Sequence, residues 1–92
     1  MNKLLAAASE IAKKGTFHAH HNRISEAVYL YQLSIKFMDH IIEGCARDPT
    51  AFPEQSLEIV KRSREGYMNF VRAHSEYLPH NQQQQLRDSS SS

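Results

Sequence analysis

Residues 26–32, Glu-Ala-Val-Tyr-Leu-Tyr-Gln, decide how the rest of this chain is read. Ala27 and Tyr31 stand four apart, so they share one face of a helix. The small Ala27 lets a neighbouring helix come close, and Tyr31 fills the space one turn further on. From this string an apolar face runs on through Ser34, Ile35, Met38, Ile41, Ile42 and Cys45. Val28, Leu30, Leu33 and Phe37 widen it well past a single stripe. A helix apolar over so much of its circumference touches two neighbours, as the central member of a three-helix bundle does. Ser25 reads as its N-cap, Ile24 as a hydrophobic staple, and Gly44 lies close to its end. The spacing predicts helix over 25–46.

The flanking sequence supplies the two neighbours. Upstream, Leu4, Leu5, Ala8, Ile11, Ala12 and Gly15 recur at helical spacing and form a narrow stripe of small and aliphatic side chains. That stripe predicts a first helix over 2–20 that packs closely, with Asn22 as its C-terminal stop. Downstream, Pro49 and Pro53 interrupt any helix, and Pro53 suits the first turn of a third. The third helix is expected over 53–78, turning Leu57, Val60, Tyr67, Val71, His74 and Leu78 inward. Ile59, Phe70 and Tyr77 fall toward a flank, and Gly66 is an interior glycine. Residues 79–92 begin with Pro79 and continue as a Gln- and Ser-rich polar run with nothing to bury. They are expected to be a disordered tail. The fold class is therefore all-α: an antiparallel three-helix bundle over 1–78 and a polar linker over 79–92.

Composition narrows the function classes. A formal net charge of +1 gives no overall field that would select nucleic acid or an anionic membrane. No apolar run approaches the roughly 18 residues that cross a bilayer, so no direct membrane insertion is expected. The apolar opening at Leu4–Ala8 superficially resembles a signal peptide, but Ser9 and Glu10 cut it short. The single Cys45 cannot form an internal disulfide, which fits a reducing, cytoplasmic setting. Catalysis finds no support: no Gly-rich phosphate loop, no Ser/His/Asp arrangement and no paired buried carboxylates are recognisable. No cofactor is expected.

Two constellations carry possible chemistry. His18, His20 and His21 cluster, and His18 and His21 share a helical face. A zinc site needs further ligands at defined spacing, and none follows, so the string reads as a solvated helix end and no metal is expected. The second is a basic strip, in which Arg64, Met68, Arg72 and Ser75 fall at successive helical steps near Lys61 and Arg62. The bland reading is a solvated charged face. The functional one is the rim of a groove that meets an acidic partner peptide.

The central string, with Ser25-Glu26-Ala27-Val28-Tyr29-Leu30-Tyr31-Gln32, Ser34-Ile35 and Met38, resembles the MIT (microtubule-interacting and trafficking) domain family. Val60, Tyr67-Met68 and Glu76-Tyr77-Leu78 extend the resemblance into the third helix, and Ala6-Ala7-Ala8, Ile11 and Ala12 into the first. It implies a tetratricopeptide-like pair of helices with a longer third. It also implies binding of short peptide motifs, such as ESCRT-III C-terminal tails, to recruit an attached effector in endosomal traffic. In the family one groove lies between helices two and three and another between helices one and three. Carried onto this sequence, Met68 matches the apolar centre of the first groove, and Arg64 and Arg72 match its rim. Leu33, Phe37 and Ser75 complete the expected site. Where the best-known members have an acidic rim, this chain has Asn69 and Arg72, so acidic flanks on the peptide are expected. The partner is expected to be protein, the domain a monomer. The alternative is a structural bundle that self-associates through Phe17, Phe37 and Phe70.

Overall fold

The computed structural model of the chain describes residues 3–78. The expectation of a disordered tail over 79–92, and of a helix beginning at Asn2, falls outside them. Three helices follow one another: α1 (Lys3–His20), α2 (Ile24–Arg47) and α3 (Glu54–Ala73), then a 3₁₀ turn over Ser75–Tyr77. No strand occurs among the described residues. The molecule is an all-α three-helix bundle.

Contacts across the helix pairs give their directions. Thr16 and Ala8 of α1 meet Tyr31 and Ser34 of α2, so residue numbers rise on one side as they fall on the other. Arg64 of α3 pairs with Asp39 of α2, and Phe70 with Tyr31, in the same opposed sense. Both neighbours are thus antiparallel to α2. α1 and α3 each pack along α2 and scarcely touch one another. The body is correspondingly flat, about 39 × 33 × 17 Å.

The turn between α1 and α2 closes as the sequence implies. Asn22 takes a left-handed φ of 60°, which asparagine tolerates better than most residues. The Arg23 N–H donates to the His18 carbonyl at 2.8 Å and the Asn22 N–H to the Ala19 carbonyl at 3.2 Å. These are the two bonds of a Schellman closure.

Ser25 is not the N-cap of α2. The helix begins one residue earlier, at Ile24, with Arg23 in the cap position and no side-chain cap. The tight closure leaves no spare residue: the Arg23 carbonyl already accepts from the Ala27 N–H at 3.1 Å. Ser25 Oγ instead donates to the Glu26 carboxylate at 3.1 Å. That carboxylate is held below the usual glutamate range first by its own backbone N–H and then by Ser25. Glu26 therefore serves the positive helix start in place of a serine cap. Ile24 lies inside the helix, half-buried against the core.

α3 ends at Ala73, not Leu78. Leu78 precedes a proline, which disfavours helical backbone, and it adopts φ −96° and ψ 153°. His74 leaves the helix with φ −120°, its Nδ1 donating to the Phe70 carbonyl at 2.9 Å. The 3₁₀ turn then swings Leu78 into the core, where it is buried. At the other end, Pro53 caps α3 rather than entering it, and its carbonyl accepts from the Leu57 N–H at 2.9 Å.

The core falls into two linked clusters. One gathers Ala12, Ala27, Val28, Tyr31, Ile35, Val71 and Leu78. The other gathers Ala8, Met38, Ile41, Cys45, Val60 and Phe52. Tyr67 packs against both. Phe52 belongs to the α2–α3 connection and was not among the residues expected inside. It is buried because Thr50 N–H and Oγ1 both donate to Asp48 Oδ1, at 3.1 and 2.7 Å, and turn the connection back on itself.

Gly15 and Gly66 separate by environment. A Cβ on Gly15 would stand 2.9 Å from Tyr31 Cε1 and 3.4 Å from Leu30 Cβ, whereas a Cβ on Gly66 would meet nothing within 4 Å. Helix propensity favours alanine at both by about 1 kcal/mol. Overpacking at Gly15 costs about 1–3 kcal/mol against that gain. Gly66→Ala should raise the melting temperature while Gly15→Ala leaves it level or lower and Gly15→Val lowers it clearly. Thermal melts of the three variants check this, and equal gains at both positions would show that α1 can move away from Tyr31.

Candidate functional site

Chemistry at this fold can lie only along its two seams or on its outer faces. The first seam, between α2 and α3, carries the expected groove. Met68 sits there, half-buried against the core cluster that includes Val28 and Ile35. Arg64 is one turn away, but its guanidinium Nε donates to Asp39 Oδ1 across the seam. An ion pair with both members part-exposed contributes little stability. Its consequence is geometric, since it ties the two helices together where a peptide would have to lie. Arg72 is exposed and stays on its own helix, 3.8 Å from Glu65 Oε1 and 3.5 Å from Asn69 Oδ1.

The remaining expected residues are elsewhere. Leu33 and Phe37 stand six and two residues from Asp39, hence about 120° and about 160° round α2 from the α3-facing side. Phe37 packs against the cluster that joins Ala8 of α1, Met38, Ile41 and Cys45 of α2 and Val60 of α3. Ser75 lies past the end of α3 in the 3₁₀ turn, where its carbonyl accepts from the Leu78 N–H at 3.0 Å. The structure thus brings together Arg64, Met68 and Arg72, adds Asp39, and leaves Leu33, Phe37 and Ser75 outside the seam.

The second seam is the furrow between α1 and α3, floored by α2. Tyr31 is buried at its base. Its hydroxyl lies 2.7 Å from Thr16 Oγ1. Thr16 already donates its only hydroxyl proton to the Ala12 carbonyl at 3.1 Å, so Tyr31 is the donor. The Tyr31 ring stacks on Tyr67 at 4.7 Å and 12°, and meets the edge of Phe70 at 4.9 Å and 79°. Phe70 in turn contacts the His74 ring at 4.3 Å. Because α1 and α3 do not close over them, Tyr67, Phe70 and His74 remain only half-buried. Their spacing of three and four residues along α3 is the sequence signal for this aromatic strip. The Thr16–Tyr31 bond has no such signal.

Among the described residues no three His, Cys, Asp or Glu side chains gather as a metal site would require. His21 Nδ1 donates to the Phe17 carbonyl at 2.8 Å, and His18 Nδ1 is buried without a hydrogen-bond partner. No described helix is long and apolar enough to cross a membrane. Of the three phenylalanines weighed for self-association, Phe37 and Phe70 are half-buried against the core and Phe17 alone is largely exposed. No family model, curated protein or solved structure matches this chain.

The furrow leaves a titration signature. Burial, and then the neighbouring Tyr31, hold the Tyr67 phenol above the ordinary tyrosine range. The unfolded chain releases that proton near pH 10, while the folded chain keeps it to higher pH. Over that interval the folded form binds more protons, so stability falls as pH rises. The melting temperature should decline above about pH 10, and Tyr67→Phe, which keeps the ring stack, should flatten the decline. An unchanged slope in the variant would place the Tyr67 hydroxyl in open water.

Proposed function

We propose that this domain is a non-catalytic peptide-binding module of the MIT type. It takes short motifs of the ESCRT-III-tail kind and brings an attached effector to sites of endosomal membrane remodelling from the cytoplasmic side. The observation that carries the reading is the half-covered aromatic strip of Tyr67, Phe70 and His74 above buried Tyr31. Rigid aromatic rings that stay partly wet in the free protein gain most from being covered by a partner. An open furrow between two helices that scarcely touch suits a peptide better than a small substrate, which a concave pocket would enclose. The α2–α3 seam is the weaker host, because Asp39 and Arg64 already bridge it.

Ser63 lies seven residues before Phe70, on the same side of α3. Ser63→Arg should lower affinity for a fluorescent ESCRT-III-tail peptide by about tenfold or more, as blocking the centre of a contact does. Arg72→Glu, on the other side of α3, should leave that affinity within about twofold, as rim charges do. Melting curves confirm that both variants fold. The opposite pattern would move the site to the α2–α3 seam, and failure of the wild type to bind any such tail would remove the reading.

A further inference from the structure

Phe17 is 55% exposed, in a helix whose inward face is made of Ala8, Ala12 and Gly15. It stands nine residues after Ala8, so it projects from the side of α1 directly away from α2. The four positions that surround a residue on a helix surface lie three and four places before and after it. Around Phe17 they are Lys13, Lys14, His20 and His21, every one cationic or protonatable. Arg23 follows in the turn. The acids nearby are Glu10, whose 3.8 Å pair with Lys13 joins two well-exposed side chains, and Glu26, across the turn near His18. A net charge of +1 over the whole chain conceals this local arrangement.

The ring is also held in place. It packs on the His21 imidazole at 4.2 Å and meets His18 edge-on at 5.6 Å. His21 is itself fixed by its bond to the Phe17 carbonyl. A core position does not explain this, because Phe17 belongs to neither core cluster and is 55% exposed.

We infer that the outer face of α1 is a peripheral docking surface for an anionic lipid bilayer, with Phe17 as the single apolar anchor and Lys13, Lys14, His20, His21 and Arg23 meeting the headgroups. The outer side of one helix is convex and offers no groove, so a peptide has nowhere to lie. One face of the Phe17 ring is occupied by His21, which leaves little platform for stacking a base. An interface of water and lipid asks for neither, only for a protruding aromatic and nearby positive charge. The expectation that nothing inserts into a membrane is narrowed to a shallow burial of one side chain. The furrow opens on a different side of α1, so a peptide there and a membrane here do not compete.

The chain contains no tryptophan, so Phe17→Trp supplies a single fluorescent reporter. Its emission should shift to the blue on adding phosphatidylcholine vesicles that contain phosphatidylserine, and stay in place with phosphatidylcholine alone. In co-sedimentation with the mixed vesicles, Phe17→Ser should bind about tenfold more weakly than wild type, as loss of a buried aromatic implies. Lys13→Gln with Lys14→Gln should bind about thirtyfold more weakly, at about fivefold per cation. All of these positions are exposed, and melting curves check that the variants remain folded. Absence of vesicle binding by the wild type, or equal binding by Phe17→Ser, overturns the proposal. So does binding to an acidic polypeptide that matches vesicle binding and persists in Phe17→Ser, which would make the face a site for acidic protein.

Discussion

Tyr31 lies as close to α1 as it does because Gly15 has no side chain. The ring edge is 2.9 Å from where a Cβ on residue 15 would stand, and from that position it reaches both outer helices. Its hydroxyl donates to Thr16 of α1, and its ring stacks on Tyr67 and meets Phe70 of α3. Ala8, Ala12 and Ala27 extend the same close approach along the α1–α2 contact, all of them buried. The approach is close enough for Ser34, fully buried on α2, to donate to the Ala8 carbonyl at 2.8 Å. A buried hydroxyl without such a partner would cost stability, so this bond is part of what allows a serine in the core.

Much of this was legible in the sequence because it rests on local periodicity. Ala27 and Tyr31 are buried where their spacing puts them, and Asn22 ends α1 through the left-handed backbone it tolerates. Ser25, Leu78, Leu33 and Phe37 were misplaced for three distinct reasons. Ser25 has the chemistry of a cap, but the Schellman closure had already consumed the residues a separate cap would need. Leu78 is inside as expected, yet through a 3₁₀ turn and not a continued helix, because the backbone of a residue before proline resists the α conformation. Leu33 and Phe37 are apolar, and apolarity alone does not say which of two neighbours a central helix turns them toward.

The candidate site was legible in part for the same reason. Arg64, Met68 and Arg72 do share a strip of α3, as their spacing requires. That Arg64 would be engaged by Asp39, 25 residues earlier, is a tertiary fact with no local signature. Tyr67, Phe70 and His74 have the spacing of a strip on the other side of α3, but periodicity alone put Tyr67 and His74 inward and Phe70 toward a flank. Its partner on α2 was visible as Tyr31. That they meet depends on how α3 packs against α2, which no local spacing records.

The arrangement also separates the molecule into parts of unequal cooperativity. α1 and α2 are joined by a three-residue turn, share the close small-residue contact and can form before any distant segment arrives. α3 is tethered through a longer connection, with Phe52 as its anchor, and is held against α2 with scarcely any support from α1. Local opening free energies in proteins follow such boundaries. The amides of α3 are therefore expected to exchange with solvent hydrogen through a partial opening that leaves the α1–α2 hairpin closed, and those of α2 beside Gly15 only when the whole fold is lost. A partner that lies along α3 and reaches α1 would join the two units into one.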